Sequence, residues 1–198
     1  MVKIGIYGGS FDPPHNGHRL LAESLASFCG AERVIVIPTA MSPFKNTSSA
    51  SSQDRLNMCK LAFDSPLFQV SDLEIRRGGK SYTVDTLRQV KALYPDSQLF
   101  LFMGEDMLLS LDRWYKYEEI LELCTPVGAC RTKNLEKLSE MKAFVSEKLG
   151  GEGRAMVSSC VPVEISSTEI RSELKKGDHS FIDKKVYEYI ISRGLYDV

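Results

Sequence analysis

Near its amino terminus the chain reads Ile4-Gly5-Ile6-Tyr7-Gly8-Gly9-Ser10-Phe11-Asp12-Pro13-Pro14-His15-Asn16-Gly17-His18. The first residues form an apolar, β-branched run, which is typical of a strand buried on both faces of a parallel sheet. The run ends at Gly8-Gly9-Ser10, the glycine turn, where the backbone can bend tightly and approach a ligand closely. A helix is predicted over residues 17–28, with Asn16 as its N-cap.

This order of elements predicts a phosphate-binding site. A strand, a glycine turn and a helix N-terminus together direct free backbone N–H groups and the positive end of a helix dipole toward one point. His15 and His18 are three residues apart, so at a helix start they share a face and add side-chain donors. A glycine pair after a strand is common and indicates little by itself, and a single histidine is usually structural or solvated. Two of the chain's three histidines lie directly behind the turn, which favours function.

The composition indicates one folded domain. With 198 residues, of which 43% are hydrophobic, the chain can bury one substantial core, and a single domain over 1–198 is predicted. A net charge of −1 does not indicate a nucleic-acid partner. We find no signal peptide and no apolar run of the ~20 residues that a membrane helix needs, so we predict a cytoplasmic protein without a membrane partner. Five scattered cysteines argue against a disulfide framework, and a homo-oligomer stays open.

The beginning of the chain predicts an α/β fold. A second apolar run at 33–38 makes the first forty residues a βαβ unit with parallel strands. Sheets of this kind bind ligands beyond the carboxyl ends of their strands, where the glycine turn and Thr39 lie. Further along, the patterns predict strands over 68–75, 98–103, 125–131 and 155–163, and helices over 53–63, 134–149 and 183–192. A further helix is predicted to begin after Thr83, its N-cap, and to end at residues 94–96.

Several residues near the predicted strand ends allow two interpretations. Lys45, in a predicted surface loop over 39–52, is either simply solvated or a mobile cation beside a triphosphate. Tyr82 is either a packed tyrosine before a helix that Thr83 caps or part of a binding site. Asp106 either contacts a ribose hydroxyl or caps the helix that follows. Trp114, with Tyr115 next to it, is either a core residue or an aromatic face that stacks on a ligand ring.

A second polar segment lies near the carboxyl terminus. In Ile165-Ser166-Ser167-Thr168-Glu169-Ile170-Arg171, one of the serines caps the next helix, with Glu169 completing a capping box. Capping explains the serines, but it does not explain Arg171 one turn inside the helix.

Residues 8–18 resemble the H-x-G-H signature of the nucleotidylyltransferase superfamily, including the G-x-F-D-P segment of its adenylyltransferase members. Residues 165–171 are similar to the I-S-S-T-x-I-R segment of the same superfamily. The two segments are roughly 150 residues apart and in the expected order, which makes the resemblance specific. It implies a Rossmann-like, doubly wound parallel sheet flanked by helices, in which the C-terminal helices from about residue 165 complete the ATP site.

The middle of the chain resembles bacterial nicotinate-nucleotide adenylyltransferases at residues 43–45, 72–87 and 104–114, and the end does so at 194–196. The resemblance implies transfer of an adenylyl group from ATP to nicotinate mononucleotide. The products are deamido-NAD and pyrophosphate, formed by in-line attack without a covalent intermediate. It implies Mg²⁺ carried by the ATP phosphates, with no metal ligands from the protein.

The resemblance also assigns roles to single residues. The residues implied in catalysis are His15, His18, Lys45 and Arg171. Those implied in ATP binding are Gly8, Gly9, Ser10, Phe11, His15, His18, Gly104, Asp106, Ile165, Ser166, Ser167, Thr168 and Arg171. Those implied in binding nicotinate mononucleotide are Ser10, Lys45, Tyr82, Thr83, Trp114 and Tyr115.

Three other functions remain open. An adenylyltransferase acting on phosphopantetheine is the nearest alternative, although such chains are shorter and lack a counterpart for residues 81–83 with Trp114. A cytidylyltransferase acting on a phospho-alcohol is a second. A nucleotide-binding regulator without turnover is a third, and intact His15, His18 and Arg171 argue against it.

Overall fold

The computed structural model describes residues 1–41, 49–130, 135–151, 153–159 and 165–198. Its strands are β1 Lys3–Gly9, β2 Arg33–Pro38, β3 Phe68–Val70, β4 Gln98–Gly104, β5 Thr125–Ala129 and β6 Met156–Ser158. Its α-helices are α1 Asn16–Cys29, α2 Ser52–Ala62, α3 Leu73–Arg77, α4 Thr83–Leu93, α5 Glu105–Leu108, α6 Tyr117–Leu123, α7 Leu135–Lys148, α8 Ser167–Lys175 and α9 Lys184–Arg193. Short 3₁₀ turns cover Leu111–Arg113 and Leu195–Asp197.

The six strands form one parallel sheet in the order β3-β2-β1-β4-β5-β6. The chain builds outward from β1 through β2 to β3, then returns to the other side of β1 and builds outward through β4, β5 and β6. This reversal defines a doubly wound sheet, and helices flank it. The predicted fold class is therefore confirmed.

Close packing against β4 explains why the middle of β1 contains a glycine, Gly5. Gly5 pairs with Phe100 of β4, and a Cβ placed on Gly5 would lie 2.5 Å from the ring of Phe102. Any side chain at this position would displace the Phe102 ring, which is 2% exposed.

The chain divides into two compact units, and β1, α1 and β2 each run through both. The first unit comprises Met1–Tyr7, Leu21–Val34 and Tyr82–Pro162. Its core contains Phe100 and Phe102 of β4, together with Leu108, Leu111 and Ile120. Helix α4 packs on α6, where the guanidinium of Arg88 pairs with Glu119 over 2.6 Å.

The second unit comprises Gly8–Leu20, Ile35–Ser81 and Val163–Val198. The rings of Phe11, Phe63 and Phe68 form a continuous series of edge-to-face contacts inside it. Helix α9 packs on α2, where the Tyr189 hydroxyl donates to Asp54 over 2.9 Å. A single domain over 1–198 stays a prediction.

Most of the predicted elements are present, but the strand predicted over 68–75 is too long. β3 ends at Val70, and residues 73–77 form helix α3. The guanidinium of Arg76 pairs with Asp72 one turn earlier, over 2.9 Å, and such i,i+4 pairs stabilise a helical turn. The predicted strand over 155–163 is reduced to β6, and its last four residues lie outside the described residues. β5 ends at Ala129, and Arg131 also lies outside them.

The predicted N-caps are displaced by one residue at two helices. Asn16 is the first residue of α1, and the carbonyl of His15 accepts the amide of Arg19, so His15 is the cap. Thr83 begins α4, and Tyr82 occupies its cap position. None of the helices in the described part of the chain has the length and apolar character needed to cross a membrane.

Candidate active site

Gly8 and Gly9 of the glycine turn are the last two residues of β1, and Ser10 follows the strand. The carbonyl of Gly9 accepts the amide of Thr39, which joins the ends of β1 and β2. Apart from its chain neighbours, no atom of the described residues would lie closer than 4.0 Å to a Cβ placed on Gly8, so the backbone is open on that side of the turn. Phe11 adopts a left-handed φ of +49° and is 1% exposed, so its ring packs beneath the turn. The open face at Gly8 is compatible with close approach of a ligand.

His15 and His18 lie together, as their spacing predicts. Their ring centroids are 3.7 Å apart, and the His18 ring makes an edge contact with Phe11 at 5.1 Å. His15 is 5% exposed, whereas His18 is half-buried. Of the two imidazoles, His18 is therefore the one with greater access to solvent and ligands.

The backbone selects the tautomer of His18. The amide of His15 donates to Nδ1 of His18 over 3.2 Å, at the position where a capping-box side chain accepts the N-cap amide. A nitrogen that accepts this hydrogen bond carries no proton, so the proton of neutral His18 lies on Nε2. His18 consequently presents Nε2–H as a donor.

The N-terminus of α1 has two backbone N–H groups that are hydrogen-bonded within the protein. The amide of Asn16 donates to the carbonyl of Phe181, and that of His18 donates to the carbonyl of His15. Two of the backbone N–H groups at this end are therefore used within the protein, by the segment before α9 and by the 3₁₀ turn at His15. Phosphate binding at this end stays a prediction.

Arg171 reaches back to the segment that follows the glycine turn. Its Nη1 donates to the main-chain carbonyl of Asp12 over 2.6 Å, and its Nη2 donates to Thr168 over 3.2 Å. These two bonds use two of the five N–H groups of a guanidinium. Capping does not explain this residue, whereas a role in fixing residues 8–18 does.

The start of α8 is a capping box, as predicted. The Ser166 hydroxyl accepts the amide of Glu169, and the Glu169 carboxylate accepts the amide of Ser166. The Ser167 hydroxyl donates to the carbonyl of Pro13 over 3.0 Å. The polar side chains of this segment thus make hydrogen bonds within the protein. Ile165, which precedes them, is half-buried.

The sequence analysis missed the importance of Asp12. Its Oδ2 accepts the amide of Ser49 over 2.7 Å, and its Oδ1 accepts the amide of Ala50 over 3.1 Å. Oδ1 also accepts the hydroxyl of Tyr196 over 2.8 Å. Tyr196 is buried, and its hydroxyl makes a specific hydrogen bond rather than only packing its ring.

Arg55 is a second residue whose role the sequence did not show. It is 1% exposed, and its guanidinium donates to the carbonyls of Ser10, Thr39 and Ala40 over 2.7, 2.7 and 3.3 Å. Its Nε has no hydrogen-bond partner among the described residues. Burial lowers the pKa of this guanidinium, and nearby Asp12 opposes that shift. In the sequence it is one polar residue of an amphipathic helix, which gave no signal of burial.

The aromatic residues predicted to bind a ring lie in the first unit. The rings of Tyr82 and Tyr115 are 4.9 Å apart, and Tyr115 is 55% exposed. Trp114 is half-buried, and its indole N–H donates to the Ser110 hydroxyl over 3.3 Å. Trp114 is therefore not a fully buried core residue. Part of its surface is accessible, and Thr83 begins the adjacent helix α4.

The remaining predicted residues are less informative. Gly104 is the N-cap of α5, and Asp106 lies exposed inside its first turn. The interpretation of Asp106 as a helix cap is therefore wrong, and a contact with ribose stays a prediction. Lys45 lies outside the described residues. Within the ranges described, no three His, Cys, Asp or Glu side chains are grouped to hold a metal ion.

Comparison with known proteins agrees with this architecture. The family model described as cytidylyltransferase-like matches residues 6–173. A probable nicotinate-nucleotide adenylyltransferase of Dehalococcoides mccartyi strain BAV1 is 38% identical over 98% of this chain and 97% of its own. The nicotinate-nucleotide adenylyltransferase of Bacillus subtilis strain 168 is 37% identical over the whole of both chains.

A solved structure shows the same fold at lower identity. It is the Plasmodium falciparum nicotinic acid mononucleotide adenylyltransferase complexed with NaAD, with a TM-score of 0.79 and 21% identity. It covers 100% of this chain and 98% of its own. The fold and the residues of the glycine turn thus define a nucleotidyltransferase of the cytidylyltransferase-like class. Within that class, the chain belongs to the nicotinate-nucleotide adenylyltransferase family.

Proposed function

We propose that the protein transfers the adenylyl group of ATP to nicotinate mononucleotide, forming deamido-NAD and pyrophosphate in NAD biosynthesis. The observation that carries the proposal is that His18 and Arg171 are both hydrogen-bonded to the main chain of residues 12–15. His18 presents Nε2–H as a donor, while Arg171 is hydrogen-bonded to the Asp12 carbonyl three residues before His15. We take the substrates from the relatives that match this chain over its full length, because these are named nicotinate-nucleotide adenylyltransferases.

The chemistry follows from charge. The 5′-phosphate of nicotinate mononucleotide attacks the α-phosphorus of ATP in line, and the bond from that phosphorus to pyrophosphate breaks. Both reactants are anions, so donors must offset their repulsion and stabilise the charge that develops on the leaving group. We assign this role to His15, His18 and Arg171, and expect Lys45 to join them. Catalysis then rests on positioning and electrostatics.

No residue has to act as a nucleophile or a general base. A phosphate monoester dianion is already a competent nucleophile, so no proton has to be removed before attack. The Nε2–H of His18 donates a hydrogen bond without transferring its proton. We assign further ATP contacts to the backbone of Gly8, Gly9, Ser10 and Phe11, to Gly104 and Asp106, and to the start of α8 at 165–168.

The nicotinate ring is assigned to the aromatic residues of the first unit. Trp114 is half-buried, so part of its side chain is accessible, and we assign the accessible part to stacking on the nicotinate ring. We assign the ring carboxylate to Thr83 and the backbone near Tyr115, with Tyr82 in contact with Tyr115. Ser10 and Lys45 are assigned to the phosphate of the same substrate.

Magnesium fits this donor set as a companion of ATP. The described residues lack a carboxylate cage, and Mg²⁺ is commonly bound through substrate phosphates and water. When bound, it neutralises phosphate charge. We further expect a cytoplasmic protein without nucleic-acid or membrane partners, because net charge is −1 and no described helix spans a membrane. The proposal is compatible with a homo-oligomer.

The test is steady-state kcat/KM with ATP and Mg²⁺ on nicotinate mononucleotide, nicotinamide mononucleotide and phosphopantetheine, measured as pyrophosphate release. We expect a large preference for nicotinate mononucleotide. Preference for phosphopantetheine would leave the phosphate site standing and overturn the assignment of Thr83, Trp114 and Tyr115. Absence of pyrophosphate release with every acceptor would overturn the proposed reaction.

A further inference from the structure

The last turn of the chain is bonded to the segment behind the glycine turn. The Tyr196 hydroxyl donates to Oδ1 of Asp12 over 2.8 Å, and Tyr196 is 8% exposed. The same carboxylate accepts the amides of Ser49 and Ala50, so three donors converge on it. A buried carboxylate with several donors is held in one orientation.

The main chain of Asp12 connects this fixed carboxylate to residues of the proposed phosphate site. The carbonyl of Asp12 accepts Nη1 of Arg171 over 2.6 Å, and His15 follows three residues later. Tyr196 therefore bonds to the side chain of the same residue whose main chain orients Arg171.

The Tyr196–Asp12 bond lies between two segments that contain unfavourable backbone conformations, at Tyr196 itself and at Phe11, the residue before Asp12. Tyr196 and Asp197 have φ values of +66° and +59°, and Phe11, directly before Asp12, has a φ of +49°. L-residues other than Gly, Asn and Asp rarely adopt these values unless tertiary contacts hold them, and such residues concentrate at functional sites. The hydrogen bond from the Tyr196 hydroxyl to Asp12 joins the two segments, and it is a tertiary contact that can hold these conformations.

Helix α9 delivers Tyr196 to this position. Lys185 near its beginning pairs with Asp64 over 2.7 Å. Gly194 then reverses the chain with a φ of +59°. Burial raises the pKa of Tyr196 above its ordinary value, and Asp12 raises it further, so the hydroxyl stays protonated as a donor.

We propose that Tyr196 is a positioning residue, whose hydroxyl holds Asp12 so that Arg171 and the His15–His18 pair are ordered for ATP. The proposal rests on the proposed function, because it assumes that Arg171 and the histidines contact ATP phosphates. The C-terminal turn lies outside residues 8–18 and 165–171, the two polar segments of the sequence. The proposal gives this turn a role in ordering both segments.

The first experiment compares Tyr196→Phe with the matched control Tyr189→Phe. Each change removes one hydroxyl that bonds to a buried aspartate, over 2.8 and 2.9 Å, and keeps the ring. We expect Tyr196→Phe to lower kcat/KM for ATP by about 10-fold to 100-fold, the range of small misplacements, while Tyr189→Phe stays within about twofold. Equal kinetic losses at equal melting temperatures would overturn the proposal.

A double-mutant cycle tests the route through Arg171. If Tyr196 acts by ordering Arg171, adding Tyr196→Phe to Arg171→Ala lowers kcat/KM for ATP much less than it does in the wild type. Full additivity would overturn the route. Wild-type protein that does not turn over ATP with nicotinate mononucleotide would instead overturn the proposed function, so the two failures are distinguishable.

A measurement on the unmodified protein covers the case in which Tyr196→Phe does not fold. If the Tyr196–Asp12 bond strengthens ATP binding, ATP binding must stabilise that bond by the same free energy, because coupling between two sites is reciprocal. We expect saturating ATP to slow hydrogen exchange of residues 195–198 and of the amides of Ser49 and Ala50. Unchanged exchange at these positions with ATP bound would overturn the proposal.

Discussion

The amide of His15 donates to Nδ1 of His18 over 3.2 Å, so the backbone of one histidine determines which nitrogen of the other carries a proton. The two rings lie 3.7 Å apart, which leaves His18 little freedom to rotate. A donor fixed before the substrate arrives costs no reorganisation when charge develops in the transition state.

The first prediction concerns His18. His18→Ala is expected to lower kcat by about 10²–10³-fold, the scale for loss of one preorganised donor, while the protein still folds. Measurement of kcat at saturating ATP and nicotinate mononucleotide checks it, and a turnover number near that of the wild type would contradict it.

A matched pair of substitutions separates the two nitrogens of His18. Gln places an amide nitrogen about where Nε2 lies, whereas Asn keeps only an acceptor about where Nδ1 lies. We expect His18→Gln to retain more activity than His18→Asn, and His18→Asn to retain more stability. The reverse order of activity would exclude Nε2–H as the donor.

The second prediction concerns Trp114. Trp114→Ala should raise KM for nicotinate mononucleotide by about 10-fold or more, because stacking of an aromatic side chain on a base contributes about 1–3 kcal/mol. KM for ATP should change little, and Trp114→Phe, which keeps an aromatic face, should give a smaller effect. Equal increases of both KM values would show that Trp114 acts only through packing.

The third prediction concerns Arg55. Arg55→Lys keeps the charge, but one ammonium cannot replace a fork that bonds to three carbonyls, those of Ser10, Thr39 and Ala40. A buried acceptor left without a donor costs about 1–3 kcal/mol, so urea unfolding should show a loss of at least that size.

The control for Arg55 is Arg76→Lys. Arg76 is a surface residue whose side chain is 71% exposed and pairs with Asp72. Surface ion pairs contribute about 0–1 kcal/mol, so this variant should unfold close to the wild type. If both variants lost the same stability, the buried fork of Arg55 would have no special role.

The fourth prediction is a pH dependence of stability. Hydrogen bonding from Ser51 lowers the pKa of Asp54, and Tyr189 and Arg193 act in the same direction. Because the pKa is lowered on folding, the ionised carboxylate stabilises the protein above the ordinary pKa of an aspartate, about 4. This stabilisation is lost as the pH falls from that value through the lower pKa of the folded state.

Urea unfolding at a series of pH values, for the wild type and Asp54→Asn, checks this prediction. The variant should be less stable at pH 7, and the difference should narrow as the pH falls below 4. A constant difference across the series would mean that the charge of Asp54 does not contribute.

The local patterns predicted most of the secondary structure because they report on burial along one element. β2 was predicted with its exact ends, and α2, α7 and α9 to within a residue or so at either end. The strand over 68–75 was too long because alternation over a few residues does not distinguish a strand from a short helix. There the Arg76–Asp72 pair and the burial of Glu74 favour the helical turn.

The candidate site also combines features that the local sequence predicts with features that only the folded structure shows. The glycine turn, the pairing of His15 with His18 and the capping box at Ser166 follow from residues within one turn of each other. The tautomer of His18 required the geometry, because it depends on the position of one backbone amide.

By itself, the sequence determined the class of fold, the prediction of a phosphate site at residues 8–18 and the resemblance that led to the family. Tertiary structure alone decided that Arg55 is buried beneath the turn and that Tyr196 bonds to Asp12, 184 residues away. The physical reason is that helical and strand periodicity describe neighbours along the chain. A hydrogen bond between distant residues instead depends on how whole elements pack, and no local pattern of the sequence records that.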